Sequence, residues 1–235
     1  MTFGTIQIVN GIFSLIFVVI SLYVGLRIIA KYLRIKSTTL LFMGLTWIGI
    51  TSPWWGSSIS FIFGVFTGQG LSLQIYLFIT LTPLPIFFTF YLIAITDLLW
   101  RDKQSLILLI YATFGLIFDV FYILFIFIAP EGIGSLEMMI DIRFKSFTVL
   151  YLILIIFSFL IFGVLFGKAS LKSENPDISL QGKMLIIAFI SFSIGSILDS
   201  SLTLNFVTLP ITRLILISSA LEFYSGFILP DWLKH

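Results

Sequence analysis

Four ionisable residues interrupt stretches of sequence that are otherwise apolar: Asp119, Asp199, Arg213 and Glu222. A charge carried into hydrocarbon is costly unless it is paired, hydrated or neutralised, so these positions are the first places to expect binding or proton chemistry. Asp199 and Arg213 each lie seven positions from Phe206, in the middle of a short turn. At about 1.5 Å per residue both sit about 10 Å from that turn, at matched depth on adjacent antiparallel helices. An ion pair is expected there. It either pins the two helices together or forms the floor of a pocket and a switch. Ser193, Ser196, Ser200 and Thr203 recur at intervals of three and four beside Asp199, marking a face that looks inward. Such hydroxyls act as interhelical glue or as ligand contacts.

Glu222 falls in Ser218-Ser-Ala-Leu-Glu222-Phe-Tyr-Ser225, with Ser218 and Ser225 on its face and no basic residue of its own helix within reach. A carboxyl so placed is either protonated or lines a hydrated cavity, which makes it the leading single candidate for a ligand or proton site. Asp119 follows Ala112 and Gly115 at helical spacing, with Tyr122 one turn further on as a possible hydrogen-bond donor. That pattern reads as a buried, hydrogen-bonded structural acid, with a place on a proton pathway as the alternative. Ser52-Pro53-Trp54-Trp55-Gly56 and Thr82-Pro83-Leu84-Pro85 each predict a kink that frees backbone carbonyls. Trp54 and Trp55 then read as an aromatic pocket opening outward or as interfacial anchors. Asp97, Trp100, Arg101, Asp102 and Lys103 form an interfacial cluster of the usual kind.

The elements that position these residues follow from composition. The chain has 235 residues, of which 59% are hydrophobic and 10% charged, and 27 are Phe. A water-facing domain carries about a quarter charged residues, so this surface is built for lipid. Spans of about 20 apolar residues are expected at about 5–30, 39–66, 71–98, 105–129, 146–167, 183–204 and 209–231. Together they form one domain over residues 1–235, an all-α, polytopic seven-transmembrane-helix bundle. The first span lacks the basic start and cleavage site of a signal peptide. No connecting loop is long enough for a second domain.

Lys31, Arg34 and Lys36 fall in the first loop, Arg101 and Lys103 in the third, Lys168, Lys172 and Lys183 in the fifth, and Lys234 in the tail. The even loops are uncharged or acidic. Basic loops face the cytoplasm, which places the N-terminus outside and the C-terminus inside, at the cell membrane. A 3+1+3 pseudo-repeat is a further expectation. It pairs Ser21 and Lys31 with Ser158 and Lys168, Pro85 and Asp97 with Pro210 and Glu222, and Ser57-Ser58 with Ser200-Ser201.

Several chemistries are excluded. Cysteine is absent and His235 is the single histidine, so neither a thiolate or histidine metal site nor intramembrane haem ligation has its residues. No catalytic residues are assigned: the chain lacks GxGD and GxSG motifs and a histidine to activate serine or water. The net charge of +2, spread over short loops, does not suit nucleic acid.

The span count and topology resemble the broad group of microbial rhodopsins, G-protein-coupled receptors and SWEET/PQ-loop carriers. The resemblance implies retinal only where the last span carries a Schiff-base lysine, and residues 209–231 contain none. A PQ-loop carrier would carry Pro-Gln, which does not occur. The run Arg213…Glu222-Phe-Tyr-Ser-Gly-Phe-Ile-Leu-Pro-Asp-Trp also looks like the last helix of uncharacterised archaeal seven-helix proteins and of sensor-kinase input modules. The expectation is therefore a sensor or receptor-like bundle that binds a small or lipid-like ligand, uses no cofactor, and signals through a separate cytoplasmic or membrane partner. A small-solute or proton-coupled transporter and a membrane scaffold are the alternatives.

Overall fold

The computed structural model describes residues 4–202 and 205–233; Thr203, Lys234 and His235, used above, lie outside them. Among the described residues the chain forms nine α-helices and one β-hairpin. The helices are α1 (Thr5–Ile35), α2 (Thr38–Ile50), α3 (Trp55–Thr67), α4 (Leu73–Leu81), α5 (Leu84–Leu99), α6 (Gln104–Ile128), α7 (Phe147–Leu171), α8 (Pro176–Ser201) and α9 (Thr208–Ile228). The hairpin strands are β1 (Gly134–Met138) and β2 (Asp141–Phe144), so the fourth connection is not the plain loop expected of an all-α chain.

Six stretches are long and apolar enough to cross a membrane: α1, α4 with α5, α6 with the short turn before it, α7, α8 and α9. The protein is therefore a multi-pass helical membrane protein. The second expected span is instead two 13-residue helices, α2 and α3, joined by a 3-10 turn at Ser52–Trp54. Pro53 causes the break, because it has no N–H to continue the ladder. The two pieces lie antiparallel along the whole of α1. A Cβ on Gly25 would meet Gly44 O of α2 at 2.8 Å, and one on Gly11 would meet the Phe61 ring of α3. Helix ends also move relative to the sequence reading. Lys31 and Arg34 belong to α1, Lys168 to α7 and Lys183 to α8, each as a helical rather than a loop residue.

Pro83 and Pro85 break the third span between α4 and α5 in the same way. Thr80 Oγ1 bonds back to Tyr76 O at 2.6 Å, and Tyr122 of α6 donates to Leu77 O at 2.9 Å, so carbonyls next to the break keep partners. The core is aromatic. Phe17, Trp47, Tyr91, Phe159, Phe189 and Phe223 are fully buried, whereas α6 packs on α4, α5 and, through rings such as Phe118 on Tyr151, on α7, and turns most of its surface outward.

One packing motif occurs twice. At the α1–α2 crossing a Cβ on Gly25 would lie 2.4 Å from Ile48 Cγ1 and 2.8 Å from Gly44 O. At the α7–α8 crossing a Cβ on Gly167 would lie 2.5 Å from Ile186 Cγ1 and 3.0 Å from Gly182 O. Each isoleucine follows its glycine by one turn. The crossing therefore pairs Gly25 with Gly167, a register different from the Ser21–Ser158 pairing read from the sequence. Backbones approach this closely only where no side chain intervenes, which is how helices pack without help from water. Gly25→Ala and Gly167→Ala should each destabilise the detergent-solubilised protein by about 1–3 kcal/mol, as overpacking does. Gly4→Ala, where the nearest atom is 3.9 Å away, should leave thermal unfolding unchanged.

Candidate functional site

The expected pair forms. Arg213 Nη1 lies 2.8 Å from Asp199 Oδ2, and the arginine is only 2% exposed. Arg213 Nη2 donates to Asn10 Oδ1 of α1 at 2.9 Å, and Trp54 Nε1 donates to the same Asp199 Oδ2 at 2.9 Å. Ser14 Oγ completes the set on Asn10 Oδ1 at 3.3 Å. Four parts of the chain thus converge on one ion pair: α1, the 3-10 turn at Ser52–Trp54, α8 and α9. The local reasons are in the sequence. The Pro53 break turns Trp54 into the bundle, and Asn10 and Ser14 are one turn apart on the same face of α1. Arg213 Nε and Asp199 Oδ1 are buried without a hydrogen-bond partner.

The hairpin covers this cluster. Its tip enters the bundle, with Ile140 fully buried, Met139 O accepting from Ser60 Oγ at 2.5 Å and Ile140 O accepting from Tyr76 OH at 3.2 Å. Tyr76 OH also shares a 2.6 Å hydrogen bond with Ser57 Oγ. Asp141, the first residue of β2, is half-buried and lies in the field of the pair. Burial pushes its carboxyl up from 3.8 to about 6; the Asp199 charge adds to that shift, and Arg213 opposes it. Asp141 thus lies within electrostatic reach of the Arg213–Asp199 pair.

The other candidates are not gathered here. Glu222 is half-buried on α9, with Oε2 sealed from solvent and unpartnered, and it forms no ion pair among the described residues. Ser218 and Ser225 donate to Ile215 O and Leu221 O of their own helix rather than to Glu222. Ser196 likewise bonds to Phe192 O, Ser193 is buried beside it without a partner, and Ser200 is exposed. Asp119 is half-buried on α6 with Oδ1 unpartnered. Tyr122, its expected donor, bonds Leu77 O instead, and Ala112 is exposed rather than packed. The two tryptophans separate. Trp54 is an interior hydrogen-bond donor, not an interfacial anchor, while Trp55 is half-buried against Phe87 with its N–H unpartnered.

Sequence reasoning missed Asn10, Tyr76 and Asp141. Asn10 sits at the end of an uncharged segment, and Asp141 lies in a connection whose folding against the bundle has no local signal. At the opposite end of the bundle, Lys31 Nζ donates to Phe227 O at 2.6 Å, tying α1 to the last turn of α9. This is the favourable end of a helix for a cation. No protein-family model matches the chain, and no curated protein matches it in sequence.

Removing one member of a buried pair leaves the other charge uncompensated. Asp199→Ala and Arg213→Ala should each destabilise the fold by about 3–5 kcal/mol in thermal or denaturant unfolding, whereas the exchange Asp199→Arg with Arg213→Asp should recover most of the loss. The pH dependence follows from Asp141. Between about pH 4 and pH 6 the folded protein holds a proton that the unfolded chain has released. Its contribution to stability therefore grows as pH falls through 6 and fades as pH rises. Asp141→Asn should flatten melting temperature against pH in that window.

Proposed function

We propose that this chain is a receptor-like bundle that senses at its outer face, binds a small or lipid-like ligand there, and signals through a separate partner. In this reading the broken α2–α3 helix is one crossing, because it runs the length of α1, and the bundle crosses the cell membrane seven times. Arg34, Lys36, Arg101, Lys103, Lys172 and Lys183 then fall on the cytoplasmic side and the hairpin lies outside. The observation that carries the reading is the Arg213 cluster: a buried charge network joins four elements directly beneath a surface hairpin that brings its own carboxyl.

The same helix, α9, is bonded to α1 at both ends, through Arg213 and Asn10 outside and through Phe227 O and Lys31 inside. A change of charge at the outer end alters which packing of α9 is favoured, and the inner end registers it. A small-solute or proton-coupled carrier is the second reading. The repeated glycine crossing favours it, since carriers are commonly built from related halves.

The native chain contains no cysteine, so a single Leu233→Cys can carry an environment-sensitive fluorophore just beyond α9. In oriented vesicles an outer pH step from about 7 to 5 should shift its emission, and Asp141→Asn should abolish the shift. An unchanged emission in the parent protein would falsify coupling between the two ends.

A further inference from the structure

The backbones of α6 and α7 stand apart, and rings bridge them. Phe118 of α6 stacks on Tyr151 of α7 with centroids 3.7 Å apart, and both side chains are buried. Outward of that stack the two helices leave a groove of about 540 Å³. The stack is its floor, Ile117 and Phe121 form one wall, and Leu150 and Leu154 form the other. All four wall residues are exposed. Both ends are bounded: Phe125 meets Phe147 edge-on at 5.6 Å at the hairpin end, and Tyr111 and Ser158 share a 3.0 Å hydrogen bond at the other.

Length and volume decide what fits. From Phe114 to Phe125 the groove is about 16 Å long. One leaflet contributes about 15 Å of hydrocarbon, so the groove runs the depth of the leaflet at the hairpin end. At about 30 Å³ for a group the size of water, its volume matches on the order of fifteen to twenty methylenes, one acyl chain. A helix about 10 Å across would displace more than twice that volume over the same length. The lining is Phe, Ile, Leu and Tyr, which offers a polar guest almost nothing to bond. Lys145 stands at the hairpin end, two residues before Phe147. Its Nζ donates to Glu131 O at 3.3 Å, which holds the ammonium over the gap between the end of α6 and the start of α7. One carbonyl uses one of its three protons.

We propose that this groove holds one acyl chain of a phospholipid from the leaflet at the hairpin end, with the lipid phosphate on Lys145. The site lies on α6 and α7, away from the Arg213 cluster, so its occupancy stands apart from the receptor reading.

The test titrates delipidated full-length protein in maltoside detergent with two probes, phosphatidic acid and diacylglycerol, each bearing a diazirine in the same acyl chain. After irradiation, labelled peptides are mapped by mass spectrometry. Labelling of 117–125 and 147–154 should saturate, whereas the exposed Tyr23 and Leu26 of α1 should label only in proportion to probe. Phosphatidic acid should saturate the groove at about tenfold lower concentration than diacylglycerol, and Lys145→Ala should remove that preference. Leu150→Trp fills the groove from an exposed position and should cut its labelling about tenfold. If Leu150→Trp does not fold, Ile117→Trp on the opposite wall takes its place. Groove labelling that never saturates, a phosphate preference that survives Lys145→Ala, or labelling unchanged by the tryptophan overturns the proposal. So does efficient disulfide dimerisation of Phe121→Cys in phosphatidylcholine vesicles, which would make the groove an interface between copies. Loss of groove labelling with an intact fluorophore response sinks only this inference. Saturable labelling without that response sinks only the receptor reading.

Discussion

A guanidinium held out of water at 2% exposure obliges its surroundings to answer it, and the arrangement around Arg213 follows from that obligation. An unpaired cation in a low-dielectric interior is prohibitively costly, so Asp199 must lie at the same depth on α8. A single carboxylate satisfies only part of a five-donor fork, which brings Asn10 of α1 into the set. The carboxylate in turn takes the indole N–H of Trp54, and Trp54 reaches it because Pro53 breaks the helix one residue earlier. Arg213 is thus answered by a carboxylate on α8, an amide on α1 and, through that carboxylate, an indole that the Pro53 kink brings within reach.

The rest of the bundle is held by contact rather than by exclusion of water, since lipid is as apolar as a phenylalanine ring. Two devices supply that contact. Glycines at the α1–α2 and α7–α8 crossings let backbones touch and an isoleucine fill the groove beside them. Aromatic rings then span the wider gaps between helices, stacking or meeting edge-on around Trp47, Phe192 and Phe223. The most outward-facing helix is α6, whose outward residues are Leu, Ile and Phe and whose inward rings Phe118 and Tyr111 pack on α7.

Much of this architecture was legible from local rules. Apolar runs located six of the seven expected spans, because hydrocarbon thickness imposes a length on each. Proline placed both breaks, because the missing N–H acts wherever the residue falls. The depth of Asp199 and Arg213 came from rise per residue, and they meet. The hairpin was not legible: Leu136-Glu-Met138 is too short an alternation to distinguish a strand from a loop, and its stability comes from Ser60 and Tyr76 far away in sequence. Asp141 and Asn10 were missed for the same reason, as neither is unusual until it is seen beside Arg213. Tyr122 was given the wrong acceptor, since periodicity reports which face a side chain occupies but not which of two neighbours takes its proton.

The amino-acid sequence by itself determined that this chain lives in a membrane as helices, where those helices bend, and which charges had to be reconciled. Composition, proline chemistry and helical rise are local properties and act before any long-range contact exists. Only the tertiary structure decided that the buried charges form one network across four elements, that a hairpin closes over it, and that Glu222 and Asp119 stand apart from it. Those outcomes depend on which helices become neighbours. Close packing at glycine crossings and the search of each buried polar atom for a partner settle that, and neither is written in any one segment.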